Sequence, residues 1–217
     1  MRFAVLFCPL ALISALSNSL GEPIPSSLQA SVREVEEHKW ELSLSTATYF
    51  VQDGRDFVNP TFTADRDWLH LEARFNYESL NTGSLWLGYN FGFGEKLAFE
   101  ITPMLGGVFG DFTGLAPGYS ISISYKMFEF STQGEYFIDD TAKENNFFYT
   151  WSELSCSPAD WFRFGLVVDR TKVLGEDIDI RRGPLIGLHY RKLDLTTYWL
   201  DPGSSNETFI LSVSLNY

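Results

Sequence analysis

The sequence predicts an all-β chain: a transmembrane antiparallel up-and-down β-barrel of 12 strands, with 10 as the alternative. Three observations predict it. From Trp40 onward apolar residues recur at every second position, the period of extended strands rather than of helices. The apolar faces are rich in Phe and Tyr, of which the chain holds 19 and 10, whereas a water-soluble barrel would close its core with large aliphatics. The opposite faces carry acids and bases two residues apart, as Glu72 and Arg74 do, which suits pairing inside a lumen. The expected polarity is therefore inverted, with apolar side chains outside and charged ones inside.

Composition sets the bounds. A chain of 217 residues can bury a sizeable single core. With 20% charged and 45% hydrophobic residues it is neither a disordered chain nor an all-apolar helical membrane protein. The formal net charge of -12 argues against nucleic acid as a partner, because phosphate binding needs clustered Lys and Arg.

The first stretch has a lone Arg2, an apolar run over 3–16, then small and polar residues. That is the layout of a cleaved secretory signal peptide over 1–21, with a cut after Ser17, Ser19 or Gly21. The run is shorter than the roughly 20 residues a spanning helix needs. Cys8 lies inside it, followed by Pro9, and not at a lipidation box. Without the leader Cys156 is the sole cysteine, so neither an intramolecular disulfide nor a Cys-based zinc site is expected. Residues 22–39 open with Pro23 and Pro25 and carry only a thin apolar stripe (Leu28, Val32, Val35). They read as a lead-in with little fixed structure, or as a short helix.

The strands follow in order. Trp40, Leu42, Leu44 and Phe50 form the greasier side of the first, and 56–64 forms a second. In "DWLHLEARFNYES" Leu69, Leu71, Ala73, Phe75 and Tyr77 alternate with a polar and charged set. In "SLWLGYNFGFG" Leu85, Leu87, Tyr89, Phe91 and Phe93 oppose Ser84, Gly88, Asn90, Gly92 and Gly94. This stretch is not a phosphate-cradling loop, because alternation runs through its glycines and no helix follows. Leu97, Phe99 and Ile101 then oppose Glu100 and Thr102; Tyr119, Ile121, Ile123, Tyr125 and Met127 oppose three serines and Lys126. Phe162, Phe164, Leu166 and Val168 oppose Arg163, Gly165 and Asp169, and Ile186, Leu188 and Tyr190 oppose His189 and Arg191.

The last strand, "FILSVSLNY", aligns Phe209, Leu211, Val213, Leu215 and the terminal Tyr217 on one side. This ending resembles the C-terminal assembly signal of bacterial outer-membrane β-barrel proteins, with Tyr where the usual ending is Phe. The region 40–217 as a whole is similar to small, porin-like barrels of that class. "NPTFTADRDWLHLEARFNYE" and "FFYTWSELS" resemble an uncharacterised family of such barrels, to which no activity attaches. The resemblance implies residence in the bacterial outer membrane, a periplasmic 22–39 segment, and outer-membrane lipids and the barrel-assembly machinery as partners. In that setting the "NET" at Asn206 is not a glycosylation site.

A periplasmic C-terminus places outer loops at 201–206, 172–179, 139–145 and 106–118, with short inner turns at 191–193, 157–160 and 127–128. Treating 56–64 as a strand gives the even count of 12 that single-chain bacterial barrels show.

The candidate site is the inward set. Arg66, His70, Glu72, Arg74 and Glu78 are read as one face, joined by Glu100, Lys126, Arg163, Asp169, His189 and Arg191. Charges held out of bulk water must be paired or hydrogen-bonded. The set is therefore either a structural ion-pair network or a charged constriction that selects small polar solutes. For catalysis, His70 with Glu72 supplies at most a base with an orienting carboxylate, and no Ser flanks a His as a triad would require. A metal would need His70 and His189 on neighbouring strands, which a 12-strand order separates. No cofactor and no enzyme activity are expected. The reading is a narrow porin-like channel for small polar solutes, or a structural barrel with a charged lumen. A lipid-modifying outer-membrane enzyme and a soluble secreted barrel holding an apolar ligand are the alternatives.

Overall fold

The computed structural model describes residues 39–52 and 54–217; the leader expected over 1–21 and all of the expected 22–39 lead-in but Lys39 lie outside the described residues. The described chain forms thirteen strand segments: β1 (Glu41–Val51), β2 (Phe57–Arg66), β3 (Leu69–Phe75), β4 (Thr82–Tyr89), β5 (Phe91–Phe93), β6 (Leu97–Gly110), β7 (Gly114–Tyr125), β8 (Phe128–Asp139), β9 (Phe147–Ala159), β10 (Phe162–Val173), β11 (Asp179–Tyr190), β12 (Leu193–Leu200) and β13 (Thr208–Asn216). Each pairs antiparallel with its neighbours, β1 pairs with β13, and β4 pairs with β6, so the sheet closes on itself. The segments β4 and β5 keep one register against β6, with Gly88 opposite Met104 and Phe91 opposite Ile101. They are two halves of one barrel strand, broken at Asn90, and the barrel has twelve strands. Closure removes the sheet edges, so every strand finds hydrogen-bond partners on both sides without a soluble core behind it.

The ends of the barrel differ. Residues 67–68, 126–127, 160–161 and 191–192 are two-residue turns at one end, while residues 54–56 and the connections 76–81, 140–146, 174–178 and 201–207 crowd the other. Asp67, Lys126 and Arg191 open three of the short turns at φ 54, 53 and 57. In the 201–207 loop the Gly203 backbone N–H donates to Glu207 at 2.8 Å and holds that carboxyl below its ordinary value.

The long outer loop expected over 106–118 is shorter: β6 runs to Gly110 and β7 restarts at Gly114. Glycine and proline there do not break the strands. Two of the glycines make room for a ring instead, since a Cβ on Gly106 would lie 2.6 Å from Trp86 and one on Gly118 2.9 Å from it.

Polarity is inverted as expected. Leu85 is 60% exposed, Leu166 62% and Leu154 53%, all on the outer surface, and Leu71 and Tyr89 face the same way. The inward positions hold Asn59, Thr61, Thr63, Glu72, Arg74, Glu135, Glu153 and Asp169, all buried. Apolar packing inside the barrel falls into two clusters. One joins Trp86, Met104, Val108, Ala116, Phe137 and Phe147; the other joins Val167, Leu185, Tyr198, Leu200 and Ile210.

Candidate functional site: the charged lumen

Strand β3 delivers the centre of the site because its even positions point inward. Arg74 donates from Nε and Nη2 to both oxygens of Glu72, at 2.9 and 3.0 Å, the bidentate fork that guanidinium and carboxylate geometry favours. Its Nη1 donates to Glu135 on β8 at 2.9 Å. The Arg74 guanidinium also lies 4.3 Å from the Tyr77 ring and 4.3 Å from the Trp86 ring. A cation desolvated among rings and two carboxylates is held on every side. Because β3 and β8 are not adjacent in the wall, the Arg74–Glu135 pair is a bridge across part of the lumen.

His70 extends this network toward the short-turn end. Its Nδ1 is 2.8 Å from Asp65 Oδ1 and its Nε2 is 3.3 Å from Glu72 Oε2. A ring with carboxylates at both nitrogens has no nitrogen left to serve an external substrate as base. Asp65 Oδ1 accepts from Asn90 Nδ2 at 2.7 Å, and Thr102 Oγ1 donates to Asn90 Oδ1 at 2.6 Å, so the break in β4–β5 is used to complete the chain of bonds.

The 76–81 loop folds into the barrel mouth. Tyr77 OH accepts from Gln133 Nε2 on β8 at 2.6 Å, and its ring packs edge-on against Tyr149 on β9 at 5.6 Å. Glu78 accepts from Ser84 Oγ at 2.5 Å, and Ser84 Oγ accepts from Trp86 Nε1 at 2.9 Å. An alanine at Gly106 should push Trp86 off its site and unstack Arg74; a shifted tryptophan emission spectrum in the refolded variant would show it.

A separate network occupies another sector of the wall. Arg163 donates to Glu153 Oε2 at 3.1 Å and to Thr196 Oγ1 at 2.9 Å, while Trp151 Nε1 and Tyr198 OH donate to Glu153 Oε1 at 2.8 and 2.9 Å. Arg181 pairs with Asp169 at 2.5 Å. His189 pairs with Asp194 at 2.8 Å near the short-turn end. Glu100 lies at that end too, under the electrostatic influence of Glu129, Glu41 and Asp65 from other strands.

Three expected members of the set are elsewhere. Arg66 lies on the outer side, 5.7 Å from the centre of the Trp40 ring, and not beside His70. Lys126 and Arg191 sit in short turns, each 5.3 Å from the ring of the preceding tyrosine. The reason is geometric. In a hairpin with a two-residue turn, Asp65 stands opposite His70 and Arg66 opposite Leu69, so the parity of inward positions switches at each turn. Counting by twos through the turn misplaces its flanks. With Lys192 4.9 Å from the Tyr217 ring, these cations form a basic and aromatic belt around the short-turn end.

Several members escaped the sequence reading: Asp65, Glu135, Glu153, Arg181 and the rings of Trp86, Trp151 and Tyr198; Tyr77, expected on the outward apolar face, instead turns into the lumen, because the strand ends at Phe75 and the backbone reverses at Asn76, with φ 58. A signal existed for one of them, since 128–139 read by twos places Glu129, Ser131, Gln133 and Glu135 on one side. Among the described residues no group of three or more His, Cys, Asp or Glu side chains is placed to hold a metal ion.

The fold and lumen define a class: a closed twelve-strand antiparallel barrel with an apolar exterior and an ion-paired interior. No protein-family model matches the chain, and no curated protein matches its sequence. In structure it is similar to the KdgM porin in complex with disordered oligogalacturonate, at TM-score 0.59 and 8% identity over 81% of this chain and 99% of that one. A second KdgM porin structure is similar at TM-score 0.58 and 9% identity over the same shares. Pseudomonas aeruginosa OpdQ is similar at TM-score 0.44 and 9% identity, over 78% of this chain and 59% of that one. At such identities the KdgM likeness establishes the shared barrel architecture.

Proposed function

We propose that this chain is an outer-membrane barrel whose lumen is a narrow channel for small polar solutes. One observation carries the reading: Arg74 joins β3 to β8 through paired carboxylates inside a cylinder whose outside is apolar. Apolar side chains at this density are stable in hydrocarbon and not in water. The Trp40, Tyr125, Tyr190 and Tyr217 rings with their cations suit the phosphate level of a bilayer at the short-turn end. The porin fold supports conduction, and the leader-like layout of 1–21, a lone Arg2 before an apolar run, supports export.

The terminal strand supports delivery by the barrel-assembly machinery. Phe209, Leu211, Val213, Leu215 and Tyr217 face outward, and the Tyr217 backbone N–H donates to Leu42 O at 2.8 Å at the seam where β13 meets β1. The Tyr217→Ala variant is expected to accumulate unfolded in the periplasm while refolding normally in detergent, as cell fractionation and gel mobility would show.

The channel favours cations. Asp65, Glu72, Glu100, Glu135, Glu153 and Asp169 outnumber Arg74, Arg163 and Arg181 on the inner surface. Single-channel recording of the refolded mature chain should give a small conductance, with a reversal potential in a salt gradient of the sign set by cation preference. Glu72→Gln should reduce that preference. A silent bilayer from correctly folded protein would mean a structural barrel, and a mature chain soluble without detergent would remove it from the membrane altogether.

A further inference from the structure

Four cations at the short-turn end lie beside aromatic rings, and three of them fall on one arc of the rim. Arg66 is 5.7 Å from the Trp40 ring, Lys192 4.9 Å from the Tyr217 ring and Arg191 5.3 Å from the Tyr190 ring. The backbone ties the arc together. The Asn216 N–H donates to Lys192 O at 2.8 Å, and the Tyr217 N–H donates to Leu42 O at 2.8 Å, two residues on from Trp40. The arc therefore runs from β2 across the β1–β13 seam to β12 and β11, while Lys126 stands across the barrel between β7 and β8. These cations differ from those of the lumen. Arg74, Arg163 and Arg181 are each paired with a carboxylate, whereas among the described residues no carboxylate pairs with Arg66, Arg191 or Lys192. The neighbouring acids are turned inward or engaged: Glu41 stands opposite the inward Asp65, Asp194 pairs with His189, and Asp67 has a partner of its own.

We propose that this arc is a binding face for anionic phospholipid, whose headgroup phosphates take the place of the missing carboxylates. The arc is open to such a partner. All three cations are exposed, and so are the rings of Tyr190 and Tyr217, at 69% and 64%. Next to them toward mid-barrel come the outward side chains of Leu42, Leu44, Leu188 and Leu193, also exposed. Cation, ring and aliphatic chain thus follow one another in the order in which a phospholipid presents phosphate, glycerol level and acyl chain. Guanidinium and ammonium donors suit phosphate oxygens, and a basic cluster at a membrane surface selects lipids of net negative charge. A zwitterionic lipid brings its own ammonium group and leaves the excess positive charge of the arc unmet. A soluble polyanion would meet the same cations but would leave the leucines in water. The formal net charge of -12 opposes anionic lipid over the chain as a whole, so a preference for it must arise locally.

The inference rests on the membrane reading of the barrel and not on conduction. The test is quenching of Trp40 emission, taken as the difference between the refolded mature chain and its Trp40→Phe variant. The vesicles are phosphatidylcholine carrying either brominated phosphatidylglycerol or brominated phosphatidylcholine. Brominated phosphatidylglycerol is expected to quench with an apparent affinity about fivefold higher, the effect of roughly one basic residue at a membrane surface. Combining Arg66→Gln, Arg191→Gln and Lys192→Gln should bring the two lipids level. Lys126→Gln, on the far side of the same end, should leave the preference as it is. Salt at about 1 M, where charge is screened within about 3 Å, should also abolish the preference, and decides the matter if the triple variant does not fold. Equal quenching by the two lipids in the unaltered chain would overturn the proposal. So would a preference that survives the triple variant or the salt, or one that Lys126→Gln removes. A mature chain that fails to insert into vesicles would remove the membrane reading itself, whereas insertion with equal quenching would end this inference alone.

Discussion

Arginine in place of Leu87 is expected to destabilise the barrel by about 2–4 kcal/mol in a lipid bilayer, the cost of a cation on the lipid face at mid-depth. Leu87 is 59% exposed and sits between Leu71 on β3 and Leu105 on β6, both also outward. A guanidinium there leaves water and meets only aliphatic neighbours, with no carboxylate on its side of the wall. The effect should be read from urea titration of folding into phospholipid vesicles. Ile123, opposite Phe99 on one flank and Phe130 on the other, should respond in the same direction. Little change at both positions would mean that hydrocarbon does not touch this surface.

Methionine in place of Arg74 is expected to cost about 3–5 kcal/mol, because it strands buried charges that the guanidinium now satisfies. Glu72 loses both of its Arg74 bonds, and Glu135, already with one unmet oxygen, loses the donor on its other. If unpaired charge is the cause, adding Glu72→Gln and Glu135→Gln to Arg74→Met should recover most of the loss. A purely steric role for Arg74 predicts no recovery. The same variants separate the channel from a structural barrel: removal of the β3–β8 bridge should raise single-channel conductance in a chain that conducts.

Much of this was legible in the sequence, and the reason is the simplicity of the strand period. A strand has two faces, so the outward placement of Leu85, Leu87 and Leu166 follows from counting, as does the inward placement of His70, Glu72, Arg74, Arg163 and Asp169. The twelve strands followed from the same counting plus the need for an even number. Arg66, Lys126 and Arg191 were misplaced because the count was carried through turns that reset it. Residues 106–118 read as a loop because composition shows glycine without showing the indole that needs its space.

What the sequence by itself determined is which side of each strand is apolar and faces out of the barrel, since hydrophobicity at alternate positions is a local property of the chain. Only the tertiary structure decided which charges meet. Arg74 and Glu135 stand 61 positions apart, Tyr198 and Glu153 45, and no local period links either pair. Closure of the barrel curves separate strands toward one axis, and that curvature, set by the register of all the ladders together, brings those side chains within hydrogen-bond reach.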